Sequence, residues 1–326
     1  MREIRYISPT SYSLWKKNRE DWYRQYASPI SIPRDPQADY MAAGSAFDAY
    51  VKSALHQTLY PDSNDQKFDF QTLFDKQVEP HNREWAMVHG KYLFEEYKRL
   101  GAFDDLLASM QHEHAKARFE VDLEGVVGSV NLLGKPDAWY HNPSGNAIIL
   151  DWKVNGYCSK SNKSPEPGYY HLRGDKQGKT QHKDCMPVSL NGTMINGMMS
   201  MDQVKEDWAS QLSIYAWLCG APVGSEFICA IDQMACSYSG TDFPNIRVAE
   251  HRCIVSKQYQ METYKGLMDM WSAIKSGHIF TDMPLEQSKQ VQRELDAMNV
   301  GVNKIMTDGD DVAKDLLGLN KAKIRW

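Results

Sequence analysis

The chain has 326 residues, of which 42% are hydrophobic, and its formal net charge is −5. This length and apolar content allow a sizeable core, and we expect a single domain with insertions rather than two small domains. No apolar run approaches the roughly 20 residues of a membrane span, and the start Met1-Arg2-Glu3 leads into no signal-peptide stretch, so we expect no membrane contact and a cytoplasmic location. The acidic balance would be unusual for a protein that binds nucleic acid through nonspecific phosphate contacts alone.

The cysteines carry no recognisable metal pattern. They stand at positions 158, 185, 219, 229, 236 and 253. No Cys-x-x-Cys pair occurs, and no paired spacing suits zinc. We therefore interpret them as reduced, partly buried thiols.

The first predicted helix extends from Ser8 to Tyr26. Ser8 is a favoured N-cap residue, and Pro9 suits the first helical position. The aromatic residues of this segment are expected to pack against the core. Its basic residues Lys16 and Arg19 could contact phosphates, although solvated charges are common on such a helix.

Two further helices are predicted before the first strand. One extends from Gln37 to Gln57, after a proline-rich linker, and carries Gly44 and Asp48 one turn apart. The other is predicted as one long helix over residues 80–110, with its apolar positions facing inward. Those positions are Trp85, Val88, Tyr92, Phe94 and Tyr97.

Residues 115–123 alternate apolar and polar side chains, as a strand with one solvated face does. We expect this strand to precede and pair with the hairpin that follows it. Glu120 lies on the polar face. The pattern leaves open whether Glu120 is a metal ligand or a surface acid, since Asp122 and Glu124 share its face.

The stretch from Gly134 to Val154 is where strand pattern, turn residues and reactive side chains agree. Residues 147–153 are rich in β-branched and apolar side chains and follow a turn-forming cluster at 141–146. This pattern predicts two antiparallel strands joined by a short loop.

In such a hairpin Asp137 falls opposite Leu150 or Asp151, where paired Cβ atoms lie roughly 4.5–5.5 Å apart. Asp151 and Lys153 share one face of the strand, while Leu150 and Trp152 point to the other, toward the core. The first face therefore carries two acids and a lysine.

Two adjacent carboxylates repel each other unless a cation neutralises them, and oxygen-only sites suit Mg²⁺ or Mn²⁺. Asp137 and Asp151 therefore predict a divalent metal. Lys153 beside it could orient a water molecule or stabilise charge on a phosphoryl oxygen. This is the chemistry of phosphodiester hydrolysis.

A long segment, residues 154–202, separates this strand from the next helix. Residues 153–183 contain seven Lys or Arg against two acids, the most basic long stretch in the chain. Two interpretations stay open, a mobile surface loop and a basic flap over nucleic acid. In the second, Tyr169 and Tyr170 would stack on bases.

After this insertion the pattern predicts a helix, two strands and two helices. Their bounds are 202–220, 226–235, 246–255, 256–277 and 284–298. Asp202 is predicted to cap the first helix and Ser256 to start the second. Gln211 and Tyr215, four positions apart, share one face of the first helix.

Pro136-Asp137 and Asp151-Trp152-Lys153 resemble the signature of the PD-(D/E)XK nuclease superfamily. Other pieces occur in the order expected of its RecB-type branch, which includes lambda exonuclease-like nucleases. Gln211 to Tyr215 resembles the Gln-x-x-x-Tyr motif, and Gly44 to Asp48 resembles Gly-x-x-x-His, with Asp48 standing in place of the histidine. Ser8-Pro9-Thr10-Ser11-Tyr12-Ser13 resembles the Ser-rich N-terminal helix, and Glu120 stands where the branch usually has a glutamate.

The resemblance implies an α/β fold with a restriction-endonuclease-like core, in which helices flank a central mixed β-sheet and a long basic insertion follows the catalytic strand. It implies one domain over 1–326. The parts are the N-terminal helices 1–112, the catalytic strands 113–153, the insertion 154–202, the core helix and strands 203–256 and the C-terminal helices 257–326.

The resemblance also implies roles for individual residues. The implied catalytic residues are Asp137, Asp151, Lys153, Glu120, Gln211 and Tyr215. The implied ligands of Mg²⁺ or Mn²⁺ are Asp137, Asp151, Asp48 and Glu120. The candidate DNA contacts are Ser11, Lys16, Arg19, Lys176, Lys179, Lys183, Tyr169 and Tyr170. The iron–sulfur cluster of some relatives is not expected, because no cysteine precedes position 158 or follows position 253.

The implied function is a Mg²⁺- or Mn²⁺-dependent deoxyribonuclease, and we expect an exonuclease acting in DNA recombination, repair or end resection. The setting is a bacterium or a bacteriophage, with the host cytoplasm as location if the protein is phage-encoded. DNA is the expected partner, and a single-strand annealing or recombination protein is a candidate partner. The alternative is a catalytically inactive nuclease-fold protein that binds nucleic acid or a partner. Decay usually removes an acid or the lysine, whereas Asp137, Asp151 and Lys153 are all present.

Overall fold

The computed structural model describes residues 1–160, 200–203 and 205–304 in full. For residues 169–170, 186–187, 194–195, 198–199 and 305–307 it describes the backbone alone. No helix in these described ranges is both long and apolar enough to cross a membrane.

Nine α-helices lie in the described part of the chain. They are α1 (Pro9–Lys17), α2 (Arg19–Trp22), α3 (Asp39–Leu59), α4 (Phe70–Gln77), α5 (Arg83–Arg99), α6 (Ala102–Met110), α7 (Glu206–Leu218), α8 (Lys257–Ser276) and α9 (Leu285–Thr307). The strands are β1 (Arg118–Phe119), β2 (Leu123–Val127), β3 (Val130–Gly134), β4 (Ala138–His141), β5 (Ala147–Asn155), β6 (Tyr169–Tyr170), β7 (Met186–Pro187), β8 (Met194–Ile195), β9 (Met198–Ser200), β10 (Ile228–Ser237) and β11 (Asn245–Ile254).

A mixed sheet forms the centre of the protein, with strand order β1-β4-β5-β10-β11-β9-β8. The first five strands are its main body. β4 and β5 form the predicted antiparallel hairpin, with Ala138 opposite Leu150. β10 runs parallel to β5, and β11 pairs antiparallel with β10. The predicted α/β class, a central mixed sheet with helices around it, is confirmed.

Helices cover both faces of this sheet. On one face α3, α5 and α6 pack on the hairpin strands through a core that includes Phe47, Leu93 and Leu150. On the other face α7 packs through Leu212 against Ile149. Because neighbouring residues of a strand point to opposite faces, β5 carries apolar side chains in both directions. Its residues 148–152 are therefore buried.

Several predicted helix ends are confirmed by capping contacts. The Ser8 hydroxyl accepts a hydrogen bond from the backbone N–H of Ser11 at 3.2 Å, and Pro9 occupies the first turn of α1. Ser256 caps α8 by accepting from the backbone N–H of Tyr259 at 3.3 Å. A serine oxygen satisfies an N–H that no helical carbonyl can reach, which is why these positions start helices.

Three helix predictions were wrong in extent. The helix predicted from Ser8 to Tyr26 breaks at Asn18, whose extended backbone separates α1 from α2. The long helix predicted over 80–110 is broken at Gly101, where φ is +88°, so α5 and α6 are separate. Val88, predicted to face inward, is 54% exposed. The helix predicted to end near Met298 continues to Thr307.

The strand predicted over 115–123 is much shorter. β1 covers two residues and pairs with β4, as expected for a strand that precedes the hairpin. It ends because Glu120 adopts a left-handed backbone with φ of +52°. Residues from Leu123 onward then form β2, which pairs with β3 in a separate two-stranded sheet.

Asp202 does not cap α7, contrary to the prediction. Its carboxylate accepts from the backbone N–H of Ser256 at 2.9 Å and from the Ser256 hydroxyl at 2.8 Å. It therefore ties the segment before α7 to the start of α8. No side chain caps α7 at Lys205.

Little of the insertion is described. β6 pairs with β7, and β8 pairs antiparallel with β9, with Ile195 opposite Met198. Lys176, Lys179 and Lys183 lie outside the described residues, as do the side chains of Tyr169 and Tyr170.

Helix α9 is tied to the N-terminal segment. The hydroxyls of Tyr23 and Ser28 donate to the two carboxylate oxygens of Asp296, at 3.2 and 2.6 Å. Arg24 Nε donates to Asn299 Oδ1 at 2.9 Å. These contacts join side chains 268 to 275 positions apart in sequence.

Candidate metal centre

Three carboxylates from three different elements converge at one edge of the hairpin. Asp48 comes from the middle of α3, Glu120 directly follows β1, and Asp137 directly precedes β4. In each pair of these residues, carboxylate oxygens lie within 4.8 Å of each other, and the three make up the candidate metal group found among the described residues. An oxygen-only donor set of this kind suits Mg²⁺ or Mn²⁺.

A buried lysine lies at the centre of the three acids. Lys52, one helical turn after Asp48, has a side chain only 1% exposed. Its Nζ pairs with Asp48 Oδ2 at 2.7 Å and donates to Asp137 Oδ1 at 3.0 Å. It also pairs with Glu120. Lysine is very rarely this buried unless its charge is paired, so the acids explain its position.

Glu120 reaches the cluster because of its unusual backbone. A left-handed conformation at a residue other than glycine costs of order 1–3 kcal/mol and persists only where surrounding contacts hold it. Here Lys52 pairs with one carboxylate oxygen and Lys135 pairs with the other. The left-handed turn directs Glu120 into the cluster instead of the solvated strand face that alternation predicted.

Asp137 is held by the backbone of the facing strand. Continuing the register from Ala138 opposite Leu150 places Asp137 opposite Asp151, just past the last paired residues. Asp137 Oδ2 accepts from the backbone N–H of Trp152 at 2.9 Å. Its other oxygen is therefore left to face Lys52.

Asp151 is drawn toward α7 instead of into the three-acid cluster. Gln211 Nε2 donates to Asp151 Oδ1 at 3.1 Å, and Lys153 pairs with Asp151 Oδ2. The side-chain oxygen of Gln211, Oε1, accepts from Lys153 Nζ at 2.9 Å. Gln211 Nε2 also donates to the Tyr215 hydroxyl at 3.0 Å. The predicted pair of Asp137 and Asp151 is thus present across the hairpin, but each acid has its own cationic partner.

Burial and like charges raise the pKa values of two of the acids, Asp48 and Asp151. Burial, the largest cause, and the carboxylates of Asp137 and Glu120 raise the pKa of Asp48 to about 7, against the opposing charge of Lys52. Burial raises the pKa of Asp151 to about 6, with Asp137 adding to the shift and Lys153 opposing it. Both shifts have the direction expected where negative charge is crowded, so a bound cation would relieve repulsion.

The pKa values of Lys52, Glu120 and Tyr215 are shifted by burial and by neighbouring charges. Burial alone would lower the pKa of Lys52, but the three surrounding carboxylates outweigh it and raise that pKa above its ordinary value. Burial would raise the pKa of Glu120, but Lys52 and Lys135 together lower it. Burial and the charge of Asp151 raise the pKa of the Tyr215 hydroxyl.

An open cavity of about 420 Å³ leads to the cluster. Its rim carries Tyr40 and Met41, which are 55% and 52% exposed. The other lining residues are Gly44, Ser45, Phe47, Asp48, Gln77, Glu120, Asp137, Trp152 and Val154. Gly44 lies on the cavity wall, where an added Cβ would meet Val154 at an ordinary 3.7 Å. The cluster is therefore open to a ligand from outside.

Two orphaned oxygen atoms support a cation in this cavity. Asp48 Oδ1 and Gln77 Oε1 are buried without a hydrogen-bond partner in the described structure. The Gln77 amide nitrogen donates to Asp48 Oδ2 at 2.8 Å, so its oxygen is free to face elsewhere. Unpaired buried oxygens are costly, and a hard cation satisfies them. The residues present therefore fit a divalent metal.

The predicted contacts on the N-terminal helix differ from one another. Ser11 is buried, and its hydroxyl accepts from Trp22 Nε1 at 2.8 Å. Lys16 is exposed, with its Nζ 5.0 Å from the ring centroid of Tyr12. Arg19 lies over the Trp15 ring at 4.5 Å. Of these three side chains, Lys16 and Arg19 have cationic groups near the surface.

Three residues of the site were missed from the sequence. Lys52 had a signal, since it stands four positions after Asp48 in an alanine-rich helix and so shares its face. Lys135 stands within the Gly134-to-Asp137 stretch but received no role. Gln77 could not be found because α4 itself was not predicted.

The chain is thus a mixed α/β protein in which three acids on separate elements form a cluster that could bind a divalent metal. No protein-family model matches the chain, and no curated protein matches it. Among solved structures it is similar to the protein named "Putative exonuclease" from Eubacterium rectale, with 15% identity, a TM-score of 0.41 and coverage of 83% of this chain and 82% of the other. It is also similar to the protein SSO0001, with 14% identity, a TM-score of 0.24 and coverage of 80% and 86%. Likenesses at these scores do not assign the chain to a family.

Proposed function

We propose that the protein is a Mg²⁺- or Mn²⁺-dependent DNA nuclease of the PD-(D/E)XK superfamily, in its RecB-type branch. The observation that carries the proposal is the three-acid cluster of Asp48, Glu120 and Asp137, next to the Asp151–Lys153–Gln211 group across the hairpin. The three acids suit a divalent metal, and Lys153 adds a positive charge that can face the phosphate of a phosphodiester substrate.

Asp48, Glu120 and Asp137 would hold the ion, and Asp151 would contribute on the side of α7. A divalent ion there supplies positive charge against the phosphoryl oxygens and acidifies water. The proposed metal set therefore keeps the four residues that the sequence suggested, with Asp48 in place of the family's histidine.

Lys153 is the residue proposed to act on the substrate itself. Its ammonium is held between Asp151 and the Gln211 carbonyl oxygen, at 2.9 Å from the latter. Gln211 is fixed in turn by the Tyr215 hydroxyl. An ammonium held in this way can orient water or face a phosphoryl oxygen without rearranging during the reaction. Gln211 and Tyr215 are thus proposed as positioning residues.

DNA is the proposed substrate, and exonuclease action is the proposed mode. Lys16 and Arg19 on the N-terminal helices and the basic insertion at 154–202 supply cationic side chains that an overall acidic protein needs for phosphate contacts. A nuclease without helicase motifs suits DNA recombination, repair or end resection. A single-strand annealing or recombination protein is the proposed partner, and the cytoplasm of a bacterium, or of a phage-infected host, is the proposed location.

One observation favours a second candidate, a non-catalytic protein with a nuclease fold. Lys52 already pairs with all three acids, as a permanent counter-ion in a degenerate site would do. The nuclease is preferred because Gln211 holds both Asp151 and Lys153. DNA binding alone would not require these two side chains to be held together.

The test is digestion of 5′-labelled and 3′-labelled linear, nicked and circular DNA, with Mg²⁺ or Mn²⁺ and with EDTA. We expect metal-dependent release of nucleotides from linear DNA and none from closed circles. Asp151→Ala should abolish cleavage, whereas Asp104→Asn, an exposed acid on α6, should not. Wild-type protein that binds Mn²⁺ and DNA yet cleaves neither strand would favour the second candidate, and cleavage by Asp151→Ala at the wild-type rate would remove the assigned site.

A further inference from the structure

The ammonium of Lys52 contacts one oxygen of each acid in the cluster. These oxygens are Asp48 Oδ2, Glu120 Oε1 and Asp137 Oδ1. We propose that Lys52 is an internal substitute for the divalent ion, so that metal can bind the three acids only by displacing its ammonium. The inference rests on the proposed metal site and adds a residue that sets how tightly the site binds metal.

The first argument is one of space. Oxygens of the three acids approach within 4.8 Å of one another, which leaves room for one cation at their centre. Lys52 Nζ lies 2.7 Å from Asp48 and 3.0 Å from Asp137, so it occupies that position. A divalent ion at the same oxygens would also meet a like charge at close range.

The second argument is burial. The Lys52 side chain is 1% exposed, so water does not solvate its charge, and the acids alone compensate it. In return Lys52 keeps the acids together when no metal is bound, because removing one partner of a buried ion pair leaves an uncompensated charge. The cluster is therefore assembled before metal arrives.

The ring of Trp152, in the wall of the same cavity, could contact the ammonium of Lys52 after its displacement. Lys52 Nζ lies 5.8 Å from the ring centroid of Trp152, within the range of a cation–π contact. A small rotation of the flexible lysine stem toward that ring would vacate the oxygens without moving α3. Metal binding is then an exchange of one cation for another.

Lys135 provides the natural comparison. It also pairs with Glu120, but through Oε2, the oxygen that Lys52 does not contact, and its side chain is 33% exposed. Removing Lys135 takes away a positive charge near the cluster without clearing its centre. Comparing Lys52 and Lys135 variants therefore distinguishes displacement of an ammonium from a general effect of nearby positive charge.

The experiment is calorimetric titration of Mn²⁺ into protein stripped with EDTA and then freed of chelator. The variants are Lys52→Met, Lys135→Met and Asp137→Asn, each checked for folding by circular dichroism. We expect Lys52→Met to bind Mn²⁺ roughly tenfold more tightly or better than wild type, because the competing buried charge is gone. Lys135→Met should gain clearly less, and Asp137→Asn should lose binding. The melting temperature of Lys52→Met should fall without metal and rise more with Mn²⁺ than that of wild type.

Unchanged or weaker Mn²⁺ binding by folded Lys52→Met would overturn the inference, as would an equal gain in Lys135→Met. If Lys52→Met does not fold without metal, Lys52→Gln, which keeps a hydrogen-bonding side chain, takes its place under the same criteria. DNA cleavage is measured separately. If Lys52→Met binds Mn²⁺ more tightly but the wild-type protein does not cleave DNA, the inference is supported and the proposed nuclease function is rejected. Equal Mn²⁺ binding in a protein that does cleave rejects only the inference.

Discussion

The side chain of Asp137 and the backbone of Trp152 are joined by a hydrogen bond of 2.9 Å, from the Trp152 N–H to Asp137 Oδ2. This bond lies just past the last paired residues of the hairpin, Ala138 and Leu150. A side chain thus continues the pairing where the backbone ladder stops. The same carboxylate serves the fold with one oxygen and the candidate metal centre with the other.

Asp137→Asn and Asp137→Ala should therefore differ in stability but not in metal binding. Both lose the carboxylate charge, and we expect both to lose Mn²⁺ binding. Asn can still offer an oxygen to the Trp152 N–H, whereas Ala leaves that donor unpaired at a cost of about 1 kcal/mol. Urea unfolding in EDTA measures the difference, and equal stability of the two variants would contradict this role of the bond.

Gln211→Ala should slow DNA cleavage roughly 10–100-fold while leaving Mn²⁺ affinity nearly unchanged, as removal of a partner that orients functional side chains does. Gln211 bonds both Asp151 and Lys153, so its loss leaves the lysine held by Asp151 alone without removing a cluster acid. Cleavage rate and calorimetry are compared with Gln258→Ala, an exposed residue on α8. A large fall in Mn²⁺ affinity would mean that Gln211 supports the metal centre directly.

Stability should depend on pH through His251. Burial, the main cause, and the nearby charge of Arg252 lower the pKa of His251 to about 4. The folded state therefore disfavours protonation, so the stability that His251 contributes is present above the unfolded pKa of about 6.5 and is lost as pH falls toward 4. Between about pH 7.5 and pH 5 the loss should be about 2 kcal/mol.

Urea unfolding of wild type and His251→Gln at the two pH values isolates this loss as a difference, because the raised pKa values of Asp48 and Asp151 act in the opposite direction in both proteins. On lowering the pH, wild type should lose about 2 kcal/mol relative to His251→Gln. His114→Gln, at an exposed position, should keep the wild-type pH dependence. A wild-type slope in His251→Gln would assign the acid sensitivity to other groups.

Two glycines in helices should respond in opposite ways to alanine. A Cβ at Gly90 on α5 would lie 2.4 Å from the Ala46 Cβ and 2.9 Å from its backbone carbon on α3, the helix that carries Asp48. Gly90→Ala should destabilise by about 1–3 kcal/mol through overpacking. Gly301 on α9 meets nothing within 4 Å, so Gly301→Ala should stabilise by up to about 1 kcal/mol. Thermal unfolding measures both, and a neutral Gly90→Ala would mean that α3 and α5 can separate freely.

The basic insertion can be tested through three of its lysines. Replacing Lys176, Lys179 and Lys183 together by glutamine should weaken DNA binding and reduce its dependence on salt, by about 0.9 in the logarithmic slope for each phosphate that the protein no longer neutralises. Mn²⁺ affinity should not change. Binding to labelled DNA in Ca²⁺ at several salt concentrations gives the slope, and an unchanged slope would favour an idle loop.

The hairpin could be predicted because its information is local. The β-branched run at 147–153 and the turn residues before it determine the strands, and the position of the turn then places Asp137 opposite Leu150 or Asp151. The Ser8 and Ser256 caps are equally local. The class of fold was implied by the resemblance of the motifs, in their order along the chain, to the PD-(D/E)XK superfamily.

The arrangement of the acids could not be predicted in this way. Glu120 turns into the cluster through a left-handed backbone that strand alternation does not anticipate. Asp137 and Asp151 have separate partners, because Lys52 contacts Asp137 and Gln211 contacts Asp151. Lys52 and Gln211 approach the hairpin from opposite faces of the sheet. Spacing along one segment shows that Lys52 shares a helical face with Asp48, but it does not show which side chains of distant segments Lys52 contacts.

The ties between α9 and the start of the chain also set an order of events during synthesis. Tyr23 and its partner Asp296 are 273 positions apart, and at about 5–20 residues per second that separation corresponds to tens of seconds of translation. Throughout this interval Tyr23, buried in the finished protein, lacks the Phe280 ring and the Asp296 carboxylate that it contacts there. The emerging chain thus presents an aromatic face of the kind that chaperones bind, and the N-terminal segment can reach its final packing only after α9 has been made.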